Sequence, residues 1–174
     1  ASIESAVREV VAAGHFPIGY GGEHLLAYPL IMLAYERHPD LAVVHFDAHA
    51  DIRPELWGDE LTHATILGRV ADKIGYANLK QFGIRSGSAE EWKLTQQHDT
   101  LRPFTKEAIK EHLDSLGDRP IYLTCDLDVL DPSIYPGTGT PEPGGILWDV
   151  LIGGLKQLSG RRLVGMDCLE LSPH

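Results

Sequence analysis

Three groups of acid and imidazole residues carry the chemistry of this chain, and each closes an apolar run. The run Val44-His45-Phe46 leads into Asp47-Ala48-His49-Ala50-Asp51, with Asp47, His49 and Asp51 at alternate positions. On an extended backbone such positions point to one side, so the three side chains are predicted to converge just past a buried strand. Gly21-Gly22-Glu23-His24 ends a second apolar run, and Cys125-Asp126-Leu127-Asp128 ends a third. Packing alone would not gather four carboxylates at strand ends without compensating charge. Six oxygen and nitrogen ligands without thiolate suit hard to borderline divalent ions, Mn²⁺ over a structural Zn²⁺. They are too many for one tetrahedral ion. They suit two ions roughly 3.5 Å apart that share carboxylates and generate a hydroxide nucleophile near neutral pH.

Two further residues are placed to act without holding metal. His63, in Leu61-Thr62-His63-Ala64-Thr65, sits where a loop enters a helix, and an imidazole there could pass a proton to a leaving amine. A solvated histidine at a helix start is the competing reading. Glu170 follows a strand close to the active edge, where a carboxylate could pair with a guanidinium in bidentate fashion. His45 reads as a satisfied core residue facing away from the Phe46 side. His15, His38, His98, His112 and His174 read as surface or loop positions. Asp131-Pro132 reads as the turn after the third run, and Asp167 as a structural polar residue. Arg85 ends another strand and could serve an ion pair near the site or a subunit contact.

The elements that must position these groups alternate. The spacing predicts helices over Ile3–Ala13, Leu25–Arg37, Thr62–Ile74, Thr105–Leu116 and Trp148–Leu158. Between them it predicts strands over Phe16–Tyr20, Leu41–Phe46, Leu79–Ile84, Pro120–Cys125 and Arg162–Met166. Strands apolar throughout and separated by helices imply an α/β fold with a parallel sheet covered on both faces. Ligands then bind outside the carboxyl ends of the strands, where the polar groups lie. The 174 residues suit one domain, and the sequence opens and stops in mid-pattern, as a piece of a longer domain would. A net charge of −10 and a pI near 5.3 argue against a nucleic-acid footprint. No apolar run is long enough to span a bilayer, and Ala1 to Ser5 form no signal core. Two cysteines in strand-like runs read as buried reduced thiols, hence a cytoplasmic protein.

The motifs together resemble the arginase/agmatinase family, the ureohydrolases, and its agmatinase branch most of all. The matching segments are Gly21-Gly22-Glu23-His24, Asp47-Ala48-His49-Ala50-Asp51, Thr62-His63-Ala64-Thr65, Phe82-Gly83-Ile84-Arg85-Ser86, Asp126-Leu127-Asp128-Val129-Leu130-Asp131-Pro132, Pro136-Gly137-Thr138-Gly139-Thr140 and Asp167-Cys168-Leu169-Glu170-Leu171-Ser172-Pro173. The resemblance implies a three-layer αβα fold around a mostly parallel sheet, arginase/deacetylase-like, as one catalytic domain over residues 1–174 that is incomplete at both ends. It implies two Mn²⁺, one on His24 and Asp51 and the other on His49 and Asp128, with Asp47 and Asp126 bridging. It implies hydroxide attack on a guanidinium carbon, with His63 shuttling a proton and Glu170 orienting the substrate. Trimers or hexamers are usual in the family. Arg53 stands where arginases that read an amino acid carry asparagine, and the nearby acids Glu55, Asp59 and Glu60 suggest attraction of an ammonium. The expected reaction is therefore agmatine to putrescine and urea. Guanidinobutyrate, arginine and formiminoglutamate are the alternatives, and a non-catalytic metal-binding fragment the rival of another class.

Overall fold

A computed structural model describes residues 2–172; Ala1, Pro173 and His174 lie outside the described residues. Six strands form one parallel sheet: β1 (Ile18–Tyr20), β2 (Ala42–Phe46), β3 (Leu79–Phe82), β4 (Leu101–Arg102), β5 (Ile121–Asp126) and β6 (Leu163–Leu169). Their spatial order is β1-β6-β5-β2-β3-β4. The helices are α1 (Ile3–Ala12), α2 (Ala27–Arg37), α3 (Ile66–Ile74), α4 (Ala89–His98), α5 (Lys106–Leu116) and α6 (Trp148–Leu155).

Alternation along β2 divides the interior into two layers. Val43 faces Leu30, Ile31, Leu67 and Val70 of α2 and α3. Val44 and Phe46 face Ile109 and Leu113 of α5 and Leu151 of α6. A sheet apolar on both faces needs helices on both, and this is the three-layer arrangement expected from the strand composition. The chain runs outward from β2 through β3 to β4, then returns to β5 on the other side of β2 and continues to β6. The ends of β2 and β5 thus flank the topological switch point, where open α/β sheets leave a crevice.

Several expectations shift. Helix α4 and strand β4 had no counterpart in the hydrophobic pattern, because α4 exposes most of its surface and β4 has two residues. The capping box Ser88-x-x-Glu91 was the available signal: Ser88 Oγ accepts from Glu91 N, and Glu91 Oε2 accepts from Ser88 N at 2.8 Å. His98 therefore ends a helix and stacks on Tyr76 rather than sitting in a loop. His112 is half-buried in α5 and not a surface group. The apolar stripe of α1 buries no residue fully, and Ile3 and Val10 stay exposed. The predicted helices from Leu25 and Thr62 each open with a 3-10 turn, over His24–Leu26 and His63–Thr65.

Candidate metal centre

Each group reaches the crevice by a local device. Beyond Phe46 the chain leaves β2, and both Arg85 N and Ser86 N donate to Ala48 O, holding the segment against the β3 loop. Gly83 permits this approach: its φ is +97°, and a Cβ there would lie 2.8 Å from Asp47 O and 2.6 Å from Val129. At the end of β5, Asp126 Oδ1 accepts from Asp128 N at 2.8 Å and opens a tight turn. His24 opens the turn after Gly21-Gly22, and its backbone N–H donates to Glu170 Oε1 at 2.7 Å.

The side chains form two groups that share Asp47. In the first, His24 Nδ1 lies 3.2 Å from Asp47 Oδ2, 3.0 Å from Asp51 Oδ2 and 3.3 Å from Asp126 Oδ2. In the second, His49 Nδ1 lies 2.9 Å from Asp128 Oδ2 and 3.5 Å from Asp47 Oδ1. Asp47 thus offers one oxygen to each. The extended-chain expectation of a single convergence point gives way here: His49 and Asp51 fall on opposite sides of Asp47, because the backbone past Phe46 is not a strand and Asp51 is left-handed, φ 55°.

His24 supplies the test of fit for a cation. Thr124 Oγ1 donates its one proton to Asp167 Oδ1 at 2.8 Å, so it accepts from His24 Nε2 at 2.9 Å. Nε2 therefore carries a proton, and Nδ1 is the nitrogen that faces the three carboxylates. That nitrogen is fully buried, and none of the three is aligned with it as a hydrogen-bond partner. Burial pushes the His24 imidazole down, yet the carboxylates of Asp126, Asp47 and Asp51 outweigh it and lift its pKa well above the usual value. Burial likewise opposes, and Asp128 and Asp47 reverse, the shift of His49, which rises to about 11. Burial and the charge of Asp47 raise Asp51 to about 7, Asp126 well above its ordinary range, and Asp128 in the same direction. The pocket attracts positive charge at every ligand atom. Oxygen and imidazole donors fit a pair of hard to borderline divalent cations, whereas the thiol next to Asp126 in the chain, Cys125, belongs to the opposite layer.

Above these groups opens a cavity of about 380 Å³, walled among others by Arg53, Trp57, His63, Ser86, Glu142 and Glu170. This is the size of small-ligand sites. His63 is partly exposed, with Nδ1 3.1 Å from Glu23 Oε1. Glu170 is half-buried, and burial raises its pKa. Four non-glycine residues have positive φ among the described residues, and three of them, Asp51, Trp57 and Glu170, line this cavity. Such strain gathers at functional sites.

Two sequence expectations are corrected here. Glu55, Asp59 and Glu60 are exposed and outside the cavity wall; Glu142 and Glu91 are the additional acids that face it. Arg85 makes no ion pair among the described residues; its guanidinium donates to the carbonyls of Asp128 and Glu142, each at 2.8 Å. The reading of Asp131 holds: its oxygens accept from Ser133, Gly144 and Gly145 N–H. His45 is fully buried and satisfied, but its partner is Asp47 itself, at 2.7 Å. Burial lowers its pKa. Glu23, Thr124, Gln81 and Glu142 had no role in the sequence reading, since their significance arises only from long-range neighbours.

The arginase family model matches residues 1–174. The agmatinase of Bacillus subtilis (strain 168) is 41% identical over 98% of this chain and 60% of its own length. The guanidinobutyrase of Pseudomonas aeruginosa is 29% identical over 98% of this chain and 57% of its own. A crystal structure of a candidate agmatinase from Clostridium difficile superposes with a TM-score of 0.93 at 38% identity, covering 98% of this chain and 63% of that one. The chain spans about 60% of the length of the curated relatives it matches. It belongs to the arginase family.

Proposed function

From that membership, we propose that the chain carries the catalytic centre of a manganese-dependent ureohydrolase, with agmatine as substrate and putrescine and urea as products. The observation that carries this reading is the pair of carboxylate–imidazole groups sharing Asp47 on the floor of a cavity that His63 and Glu170 wall. His24, Asp51, Asp47 and Asp126 would hold one ion, and His49, Asp128, Asp47 and Asp126 the other. The ions, when bound, lower the pKa of water towards neutrality and so provide the nucleophile that neutral pH otherwise lacks.

The chain's own groups do the rest. Glu170 Oε1 already accepts from His24 N–H, so the carboxylate is fixed in place before a guanidinium reaches its remaining lone pairs. Glu23 anchors His63 through Nδ1, which leaves Nε2 as the nitrogen that exchanges a proton with the departing amine. Glu142, bonded by Ser86 Oγ at 2.8 Å, adds negative charge to the wall and favours a cationic substrate. A guanidino acid such as guanidinobutyrate is the second reading, carried by Arg53, whose guanidinium stands on that wall with its Nε 3.1 Å from Glu91. A homo-oligomer in the cytoplasm belongs to the same proposal, and light scattering of the purified chain tests the assembly.

Urea release is the deciding experiment. The chain is loaded with Mn²⁺ and given agmatine, guanidinobutyrate or arginine in turn, with a chelated control. Manganese-dependent urea with the highest kcat/KM on agmatine is the expected result. Arginine as the best substrate would overturn the choice, and two bound ions without urea from any of them would overturn the activity.

A further inference from the structure

His45 reaches the centre of the site, its ring nitrogen converging with the ligand atoms of His24, Asp47 and Asp51, yet it is not one of the six ligands of the proposed centre. Its ring lies on β2, fully buried, between Asp47 and Gln81. Gln81, on the neighbouring strand β3, is also fully buried, and its contacts fix its own orientation. Its Nε2 lies 2.7 Å from Ala50 O, an atom that only accepts, so the amide nitrogen is on that side. Its Oε1 accepts from Thr100 Oγ1 at 2.9 Å, which agrees. The second proton on Nε2 then points to His45 Nδ1 at 3.0 Å. A nitrogen that accepts carries no proton, so His45 bears its hydrogen on Nε2 and donates it to Asp47 Oδ2 at 2.7 Å.

We propose that Thr100, Gln81 and His45 form a positioning relay that sets the His45 tautomer and thereby holds Asp47 with one oxygen turned to each metal group. The inference rests on the metal reading above. None of the three touches the substrate cavity, so they are positioning residues. The relay answers a specific difficulty. Asp47 is the residue both groups share, and its Oδ1 is anchored by His49 N–H at 2.6 Å. Without a donor on Oδ2 the carboxylate could turn about its Cβ–Cγ bond and abandon one group. His45 Nε2–H supplies that donor from within the sheet, off the cavity wall. It also keeps the His45 lone pair away from the ions, so that a histidine two residues from a ligand does not become a competing one. Polar partners behind metal ligands typically control affinity by about 10–100-fold.

Nitrogen-15 spectra of the imidazole rings, recorded on the full metal-free chain, test the relay directly. The wild type is expected to show His45 with its proton on Nε2, and Gln81→Met a mixture of tautomers. A proton on Nδ1 in the wild type would overturn the proposal whether or not the chain binds metal. Manganese titration by calorimetry gives the second reading. The wild type is expected to take two ions; His45→Phe also two, with affinity about 10–100-fold lower. Gln81→Met should lose a similar amount, and the double variant no more than His45→Phe alone, because one chain of contacts is broken only once. His45→Gln, whose amide still donates, should recover part of the loss. Loss of one ion in His45→Phe would make His45 a ligand and overturn the relay, as would additive losses in the double variant. Should His45→Phe fail to fold, Thr100→Val takes its place, with the tautomer of His45 as readout. An unchanged tautomer in both Thr100→Val and Gln81→Met would sink the proposal. A wild type that binds no metal would instead count against the metal reading, with the tautomer still deciding the relay.

Discussion

Asp126 and Asp131 stand five residues apart at the end of the same strand, and their surroundings treat them in opposite ways. Hydrogen bonds from Ser133 and from the backbone N–H groups of Gly145 and Gly144 hold Asp131 down to about 2. Burial and the charge of Asp47 drive Asp126 well above the ordinary carboxylate range. Asp131 has all the positive charge it needs from backbone dipoles and serves only to tie the Gly144-Gly145 loop to the turn. Asp126 is crowded against acids with too few donors, and a cation is the remedy. Acid content alone therefore says little; what marks a site is acid left uncompensated.

The sharpest way to break this contrast is to neutralise each member. Asp126→Ala is expected to leave close to no Mn per chain by metal analysis and to abolish turnover. Asp131→Asn should keep both ions and disturb only the neighbouring loop. Equal metal content in the two variants would erase the distinction. Next in size is His63→Ala, which lies on the cavity wall but outside the crowded floor. It should retain two ions while kcat falls by about 10²–10⁴; normal turnover would remove His63 from the mechanism.

Metal removal sharpens the same contrast. With free Mn²⁺ at a hundred times its Kd, binding adds about 3 kcal/mol of stability per ion, which a chelator should take away as a lower unfolding midpoint. Loading must also displace protons, since the neighbouring carboxylates lift His49 to about 11 and shift His24 in the same direction. Calorimetry at pH 7.5 in buffers of different ionisation enthalpy should show net proton release on loading, at least the one from His49. Affinity should fall as pH drops through about 7, where Asp51 also takes up a proton. Proton-neutral loading would contradict this picture.

The smallest expected effect lies far from the crevice. Burial, with Lys80, Arg102 and Arg119, lowers His112 to about 4. Its folded pKa lies below the unfolded value, so the unfolded chain binds more protons between the two. Stability is then fully present above about pH 6.5 and is lost as pH falls towards 4, by about 2 kcal/mol after allowing for partial exposure. Denaturant melts of His112→Gln should show a flatter acid slope than the wild type. An unchanged slope would mean that His112 does not contribute.

The two carboxylate–imidazole groups were legible in the sequence because β2 and β5 are short apolar runs that stop abruptly at acids, and apolar runs in an alternating chain have few places to go. Their division into two groups could not be read from strand periodicity and came only with the family resemblance. It depends on the left-handed turn at Asp51 and on His24 arriving from another loop, neither of which leaves a periodic trace. The relay behind Asp47 was hidden for a related reason: Gln81 and Thr100 read as ordinary polar residues until β3 brings them beside β2. Helix α4 was hidden by its mostly polar face, although its capping box stood in the sequence.

The pairing of β2 with β5 has a further consequence, for folding. Ala42 lies beside Ile121 and Phe46 beside Cys125, partners separated by 79 residues. Closing so long a loop is entropically slow, and no local segment contains more than part of either metal group. The centre can therefore assemble only after the most distant strand contact in the middle of the sheet has formed. An ion held from both strands would then act as a clasp on that contact. Its release would gate unfolding, so that the bound chain persists longer than its equilibrium stability alone would suggest.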